Sequence, residues 1–207
     1  MPRETCNTCL RPPNVCYCSA LVNLANTVKV VIIQHPQEEK HPFNTGRMTH
    51  LCLDNSEMII TETLTSDQLN TLLSKPSALL YPSLAWLPDS IQLDGNRYVS
   101  DNTDSQYLMV EQLIVIDATW KKSKKILHLN PSLQKIPRVN LGDSLESNYS
   151  IRKTSISNGL STIESITKAM LILENNRDFL QLLKPFEKMV ALQQLNYRKK
   201  TKAAIRI

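Results

Sequence analysis

The chain has 207 residues, 42% of them apolar and 21% charged, with a net charge of +5. That suffices for one packed domain with a small appendage and excludes global disorder. No apolar run nears the ~20 residues of a membrane-spanning helix, and the Cys-rich N-terminus lacks the apolar core of a signal peptide, so a cytoplasmic protein without membrane association is expected. In chain order, residues 1–20 show neither helical nor strand periodicity. They carry Cys6, Cys9, Cys16 and Cys18 beside Pro12-Pro13, and residues 1–22 are expected to form a metal-held knuckle ahead of a catalytic domain over residues 23–207. Val28–Ile33 is β-branched and apolar, a buried strand. The polar loop 34–42 leads to a helix over about 44–54, then a strand over 58–64. Thr65 and Gln68 make a capping box for a helix to about 74. Ala78–Tyr81 is a third strand stopped by Pro82, and residues 84–110 read as irregular. Leu113–Asp117 is a fourth strand, residues 120–129 a helix ending before Pro131, and Ile136–Leu141 a short fifth strand. Ser161 and Glu164 make a second capping box for a helix to about 175. A last helix over 178–200 is expected to kink or break at Pro185.

Strands alternating with helices imply an α/β fold with a mainly parallel sheet and flanking helices. Ligands of such sheets sit beyond the carboxyl ends of the strands. Three polar segments leave those ends: Gln34-His35-Pro36, Pro82-Ser83 and Asp117-Ala118-Thr119-Trp120.

Four cysteines spaced C-x2-C-x6-C-x-C in a reducing compartment fit one tetrahedral zinc with no open position, a structural site; free thiols or a redox pair are the alternatives. The fifth cysteine, Cys52, lies in an apolar stretch and reads as core. Asp117 at a strand exit meets a ligand or caps the next helix. Gly159-Leu160-Ser161-Thr162 enters a capped helix whose first N–H groups either bind a polar ligand or only complete the cap. With four glycines and no Gly-x-Gly-x-x-Gly or P-loop, dinucleotide and NTP folds have no support. Two basic clusters, Lys121–Lys125 and Arg198–Arg206, suit a polyanion.

Together these segments resemble the DTW-domain family, the tRNA-uridine aminocarboxypropyltransferases. The resemblance rests on the Cys cluster, Gln34-His35-Pro36-x-Glu38 with Asn44-Thr45, Tyr81-Pro82-Ser83, Asp117-Ala118-Thr119-Trp120-Lys121, Asn130-Pro131-x-Leu133, Pro137-Arg138-Val139, Tyr149-x-Ile151-Arg152-Lys153 and Leu160-Ser161-Thr162-Ile163-Glu164. One departure is Ala118, where the family usually has Gly. The resemblance implies a knotted SPOUT-like fold, S-adenosyl-L-methionine as donor, and N3 of a tRNA uridine as acceptor, giving 3-(3-amino-3-carboxypropyl)uridine and methylthioadenosine. On this reading Asp117 is the general base. Tyr81, Pro82, Ser83, Thr119, Trp120, Gly159, Leu160, Ser161 and Thr162 hold the donor. Lys121, Arg138, Arg152, Lys199 and Lys200 contact tRNA, and no protein partner is expected. A SPOUT-type methyltransferase and a non-catalytic zinc-knuckle RNA-binding protein are the competing readings.

Overall fold

The computed structural model describes residues 4–87, 89–94, 97–99, 110–142 and 160–204. Its centre is a seven-stranded sheet. In chain order the strands are β1 (Lys29–Gln34), β2 (Ser56–Ile60), β3 (Ser77–Leu80), β4 (Ile91–Asp94), β5 (Arg97–Val99), β6 (Gln112–Asp117) and β7 (Arg138–Asn140). Their order across the sheet is β2-β1-β6-β3-β7-β4-β5, parallel throughout except for the antiparallel edge pair β4–β5.

The helices are α1 (Thr45–His50), α2 (Ser66–Leu73), α3 (Trp120–Leu129), α4 (Thr162–Leu173) and α5 (Leu183–Ala204). Alternate side chains of β1 and β6 feed two cores. Val30, Ile32, Leu113 and Val115 pack with Met48 of α1, Ile163, Ile166 and Met170 of α4, and Phe186 of α5. Val31, Ile33, Ile114 and Ile116 pack with Leu72 of α2 and Ile126 and Leu127 of α3. Helices on both faces explain why these strands read as continuous apolar runs rather than alternating ones.

Several boundaries differ from expectation. The helix expected over 44–54 ends at His50, because Cys52 and Leu53 turn back to bridge Leu24. The strand expected over 58–64 is Ser56–Ile60, its register set by pairing with β1, and Leu64 is buried ahead of α2 instead. Residues 84–110, expected to be irregular, contain β4 and β5. β4 is four residues long and gains its place by extending the sheet beyond β7, a pairing no local pattern announces. Pro185 neither kinks nor breaks a helix. The 3-10 turn Arg177–Leu182 precedes α5, and Pro185 sits in the first turn of α5, where N–H groups have no partner in the helix anyway.

The cysteine-bearing segment shares the main core. Cys9 and Tyr17 are each 1% exposed and pack in the cluster that holds Met48 and Phe186. Arg47 of α1 donates from Nε and Nη2 to the Thr8 carbonyl at 3.1 and 2.9 Å, and Arg11 donates to the carbonyl of His41. Tyr17→Ala should therefore lower global stability by about 3–5 kcal/mol, the range for truncating a buried aromatic. In urea unfolding this should read as one transition shifted to lower denaturant; an early separate phase with the main midpoint unchanged would show an independent knuckle.

Candidate active site

Beyond the carboxyl ends of β3, β6 and β7 lies a cavity of about 280 Å³. That is near the lower end of ligand pockets, ~300–1,000 Å³. Its walls are Tyr81 and Pro82 after β3, Val139–Leu141 around the end of β7, Trp120 and Ser123 of α3, and Leu160, Thr162 and Ser165 at the start of α4, over a floor that includes Leu80 and Val115. Tyr81 is buried and its hydroxyl meets Ser123 Oγ at 2.8 Å. Trp120 stands edge-on to Tyr81 with ring centroids 5.9 Å apart, yet is 57% exposed. A tryptophan this exposed at a cavity rim is not core; it offers an aromatic surface to whatever enters.

Asp117 ends β6 on the other face of the strand from Ile116. Parallel pairing sets Gln34, the last residue of β1, directly beside it. Gln34 Nε2 donates to Asp117 Oδ2 at 2.7 Å and to Asn44 Oδ1 at 2.9 Å. Asn44 cannot turn over, because its Oδ1 also accepts from the Arg47 backbone N–H and its Nδ2 donates to the Glu39 carbonyl. Its orientation fixes that of Gln34, and hence an N–H on Asp117. The second oxygen, Oδ1, accepts from the Thr162 hydroxyl of α4. Gly46 in α1 lets this happen: a Cβ there would stand 2.3 Å from Asp117 Oδ2. Asp117 is 7% exposed, and it is not among the cavity-lining residues, whereas its partner Thr162 is. Burial pushes the Asp117 carboxyl above its ordinary value, opposed by the hydrogen bonds from Thr162 and Gln34 that favour the anion. The helix-capping alternative fails, since Thr119 is the N-cap of α3.

The other predicted residues divide. Tyr81, Pro82, Trp120, Leu160 and Thr162 line the cavity; Ser83, Thr119 and Ser161 do not. Ser83 is exposed and pairs with Ser90 Oγ at 2.9 Å. The Ser161 backbone N–H is taken by the Glu164 carboxylate at 2.7 Å, so the capping box closes on itself. Arg138, expected on the RNA surface, is 4% exposed, and its guanidinium donates to the carbonyls of Leu87 and Asp89. It ties down the loop after β3, where its forked guanidinium reaches the carbonyls of Pro82, Leu87 and Asp89 together. Lys121 and Lys124 of α3 are exposed, whereas Lys122 pairs with Glu38 and Lys125 with Glu62, each at 2.6 Å. Gly159 and Arg152 lie outside the described residues, as do the side chains of Lys199 and Lys200 on α5.

Cys6, Cys9, Cys16 and Cys18 converge, with all four sulfurs within 4.8 Å of one another. Cys6–Cys18 and Cys9–Cys16 are each 3.6 Å apart, too long for the ~2.05 Å of a disulfide. It is close to the ~3.8 Å edge of a tetrahedron with Zn–S bonds of ~2.3 Å. Backbone N–H groups of Cys9 and Thr8 lower the Cys6 thiol to about 6, whereas burial raises the thiols of Cys9 and Cys18, so the convergence of the sulfurs and not their acidity marks the site. The donor set fits a four-thiolate metal site.

Sequence reasoning passed over Gln34, Asn44 and Gly46 as parts of the Asp117 site, and Ser165, Asn140 and Ser123 as cavity walls. Ser165 was accessible in principle, because it lies one turn beyond Ser161 in the capped helix. Gln34 depended on strand register, which only the sheet defines.

The DTW domain family pattern matches residues 3–194. The chain is 31% identical to the tRNA-uridine aminocarboxypropyltransferase 2 of Drosophila melanogaster over 87% of its length and 71% of that protein. It is 32% identical to the proteins of the same name from Macaca fascicularis and Mus musculus, over 92% of its length and 64% of theirs. The chain therefore spans just under two thirds of those two relatives. No solved structure matches it significantly. Among the described residues no helix is long and apolar enough to cross a membrane.

The raised carboxyl of Asp117 has a thermodynamic consequence. The folded chain holds that proton more tightly than the unfolded chain, so this group's stabilising effect is complete at low pH. It falls as pH rises from ~3.9, where the unfolded carboxyl ionises, up to the higher folded value. Asp117→Asn should thus be at least as stable as wild type at pH 7, with the difference narrowing as pH drops toward 4. Thermal unfolding of both proteins across pH 4–8 checks this, and a variant less stable at every pH would contradict it.

Proposed function

Because the chain belongs to the DTW-domain family, we propose that it is a tRNA-modifying transferase moving the 3-amino-3-carboxypropyl group of S-adenosyl-L-methionine to N3 of a uridine. Methylthioadenosine is the second product. The observation that carries this is the cavity at the strand ends, with Asp117-Ala118-Thr119-Trp120 at its edge, in a chain so similar to proteins named for that transfer. Several features support each role. Apolar Leu80, Val115 and Val139 beside polar Ser123, Asn140 and Ser165 suit an adenosine, which has an apolar base and hydroxyls to satisfy. Tyr81 and Trp120 form the aromatic wall.

The bound donor supplies a carbon already activated by its sulfonium, so the protein's part is positioning and proton removal. Uridine N3 is a poor nucleophile while protonated, and Asp117 is assigned as the base, help of a kind that contributes ~10²–10⁴ in rate. N3 is on the Watson–Crick edge, so the acceptor enters unpaired or flipped out. Exposed Lys121 and Lys124, with Arg152, Lys199 and Lys200, are assigned to phosphates, which position RNA without reading sequence. The four cysteines hold one structural zinc. The SPOUT-like knot and action in the reducing cytoplasm, where thiols hold metals, belong to the same proposal.

Mass analysis of tRNA nucleosides after incubation with the protein and S-adenosyl-L-methionine should reveal an aminocarboxypropyl adduct of uridine. A methyl adduct alone would assign the transfer to the other carbon and overturn the reading. Trp120→Ala should raise the donor's dissociation constant about tenfold by removing an aromatic wall, measured by calorimetry; an unchanged value would remove Trp120 from the donor site. Elemental analysis of protein purified without chelator should find one zinc per chain, and no metal would refute the structural site.

A further inference from the structure

We infer that the Thr162 hydroxyl is the group that meets the acceptor's N3–H, and that Asp117 draws the proton through it rather than touching the uridine. This rests on the proposed transfer to N3. The observations are geometric. Asp117 stands behind the cavity, not in its wall, while Thr162 is in the wall and donates its hydroxyl proton to Asp117 Oδ1. A threonine hydroxyl has one proton and two lone pairs, so with its proton directed at Asp117 it keeps lone pairs for an incoming N–H. The carboxylate cannot easily swing round to do the job itself. Oδ2 is held by Gln34 Nε2, Gln34 is fixed by Asn44, and Gly46 lies against the carboxylate so closely that even a Cβ has no room. Thr162 is equally fixed, at the first turn of a 12-residue helix locked by its Ser161–Glu164 box. The charged groups that bear on Asp117 are Glu38, which disfavours its anion, and His41, which favours it; both lie in the loop between β1 and α1.

The step balances. The N3 proton passes to Thr162 Oγ1 as the hydroxyl's own proton passes to Asp117 Oδ1. The freed N3 electron pair forms the bond to the sulfonium-bound carbon of the aminocarboxypropyl chain, and the C–S electron pair remains on sulfur as the neutral thioether. Asp117 ends protonated and returns the proton to solvent after product leaves. Gln34 and Asn44 are positioning residues in this scheme.

The test is single-turnover transfer at saturating donor and tRNA across pH 6–9 for wild type, Thr162→Val and Thr162→Ser, with donor affinity and thermal midpoint measured alongside. Valine keeps the branched shape and removes the hydroxyl; serine keeps the hydroxyl and removes a methyl. Thr162→Ser should stay within about threefold of wild type. Thr162→Val should lose ~10²-fold or more, the scale of general-base help, a loss that saturating donor does not restore. Its residual rate should then climb about tenfold per pH unit, because solution hydroxide replaces the lost relay. A Thr162→Val loss below tenfold, or a loss that is the same at every pH and shared by Thr162→Ser, would overturn the relay and leave the transfer reading intact. Wild type that makes no aminocarboxypropyl adduct would overturn both.

Discussion

A carboxylate buried where four elements meet is the constraint around which this site is arranged. Asp117 sits at the end of β6, beside Gln34 of β1, beneath Thr162 of α4 and against Gly46 of α1. An ionised group in such a place is costly unless its oxygens are hydrogen-bonded. Each oxygen has a donor from a different element. The need to satisfy one charge thus fixes how α1 and α4 approach the ends of the strands, and with them the cavity wall that α4 provides. Removing any donor would leave a buried acceptor without compensation, which costs more than an average hydrogen bond contributes.

The four-cysteine segment reaches this same arrangement through a short, contiguous path. The Arg47 guanidinium grips the Thr8 carbonyl, between Cys6 and Cys9. The backbone N–H of that same Arg47 fixes Asn44 Oδ1, and Asn44 fixes Gln34, which holds Asp117. Tyr17 and Cys9 add apolar contact with the core shared by α1 and α5. A metal that orders residues 6–18 would therefore brace α1, the element that presses on the carboxylate. This gives a physical reason for a structural metal to lie far from the chemistry in sequence and near it in support.

Charge is distributed less simply than a count of lysines suggests. Two of the four lysines of α3 are tied to carboxylates of neighbouring loops. Lys122 reaches Glu38, while Lys125 joins Glu62, whose other oxygen meets His35 Nε2 at 2.5 Å. His35 Nδ1 accepts the Gln37 N–H, which leaves its proton on Nε2, toward Glu62. Such partly exposed pairs contribute only ~0–1 kcal/mol each, but they hold the loop after β1 against α3. Lys121 and Lys124 of that helix are exposed and have no carboxylate partner among the described residues.

The sequence by itself determined the parts governed by local rules. Apolar β-branched runs mark buried strands, Thr65–Gln68 and Ser161–Glu164 mark helix starts, and four thiols within thirteen positions point to one shared metal, with free thiols or a redox pair as the alternatives until the fold brings the sulfurs together. It also marked Asp117, because a carboxylate at the end of an apolar run has few structural reasons to be there. It could not determine which side chains share a face at the strand ends, since that depends on pairing between segments some 80 residues apart, as Gln34 and Asp117 are. Arg138 shows the same limit. Its charge suggested solvent and phosphate, but once β7 is placed beside β3 the carbonyls of the neighbouring loop surround it. β4 and β5 are too short to signal themselves and exist because β7 offers an edge. Whether Asp117 faces the cavity or stands behind it was decided only by packing. One-residue alternation along β6 puts Asp117 toward α4, where Thr162 and not solvent meets it.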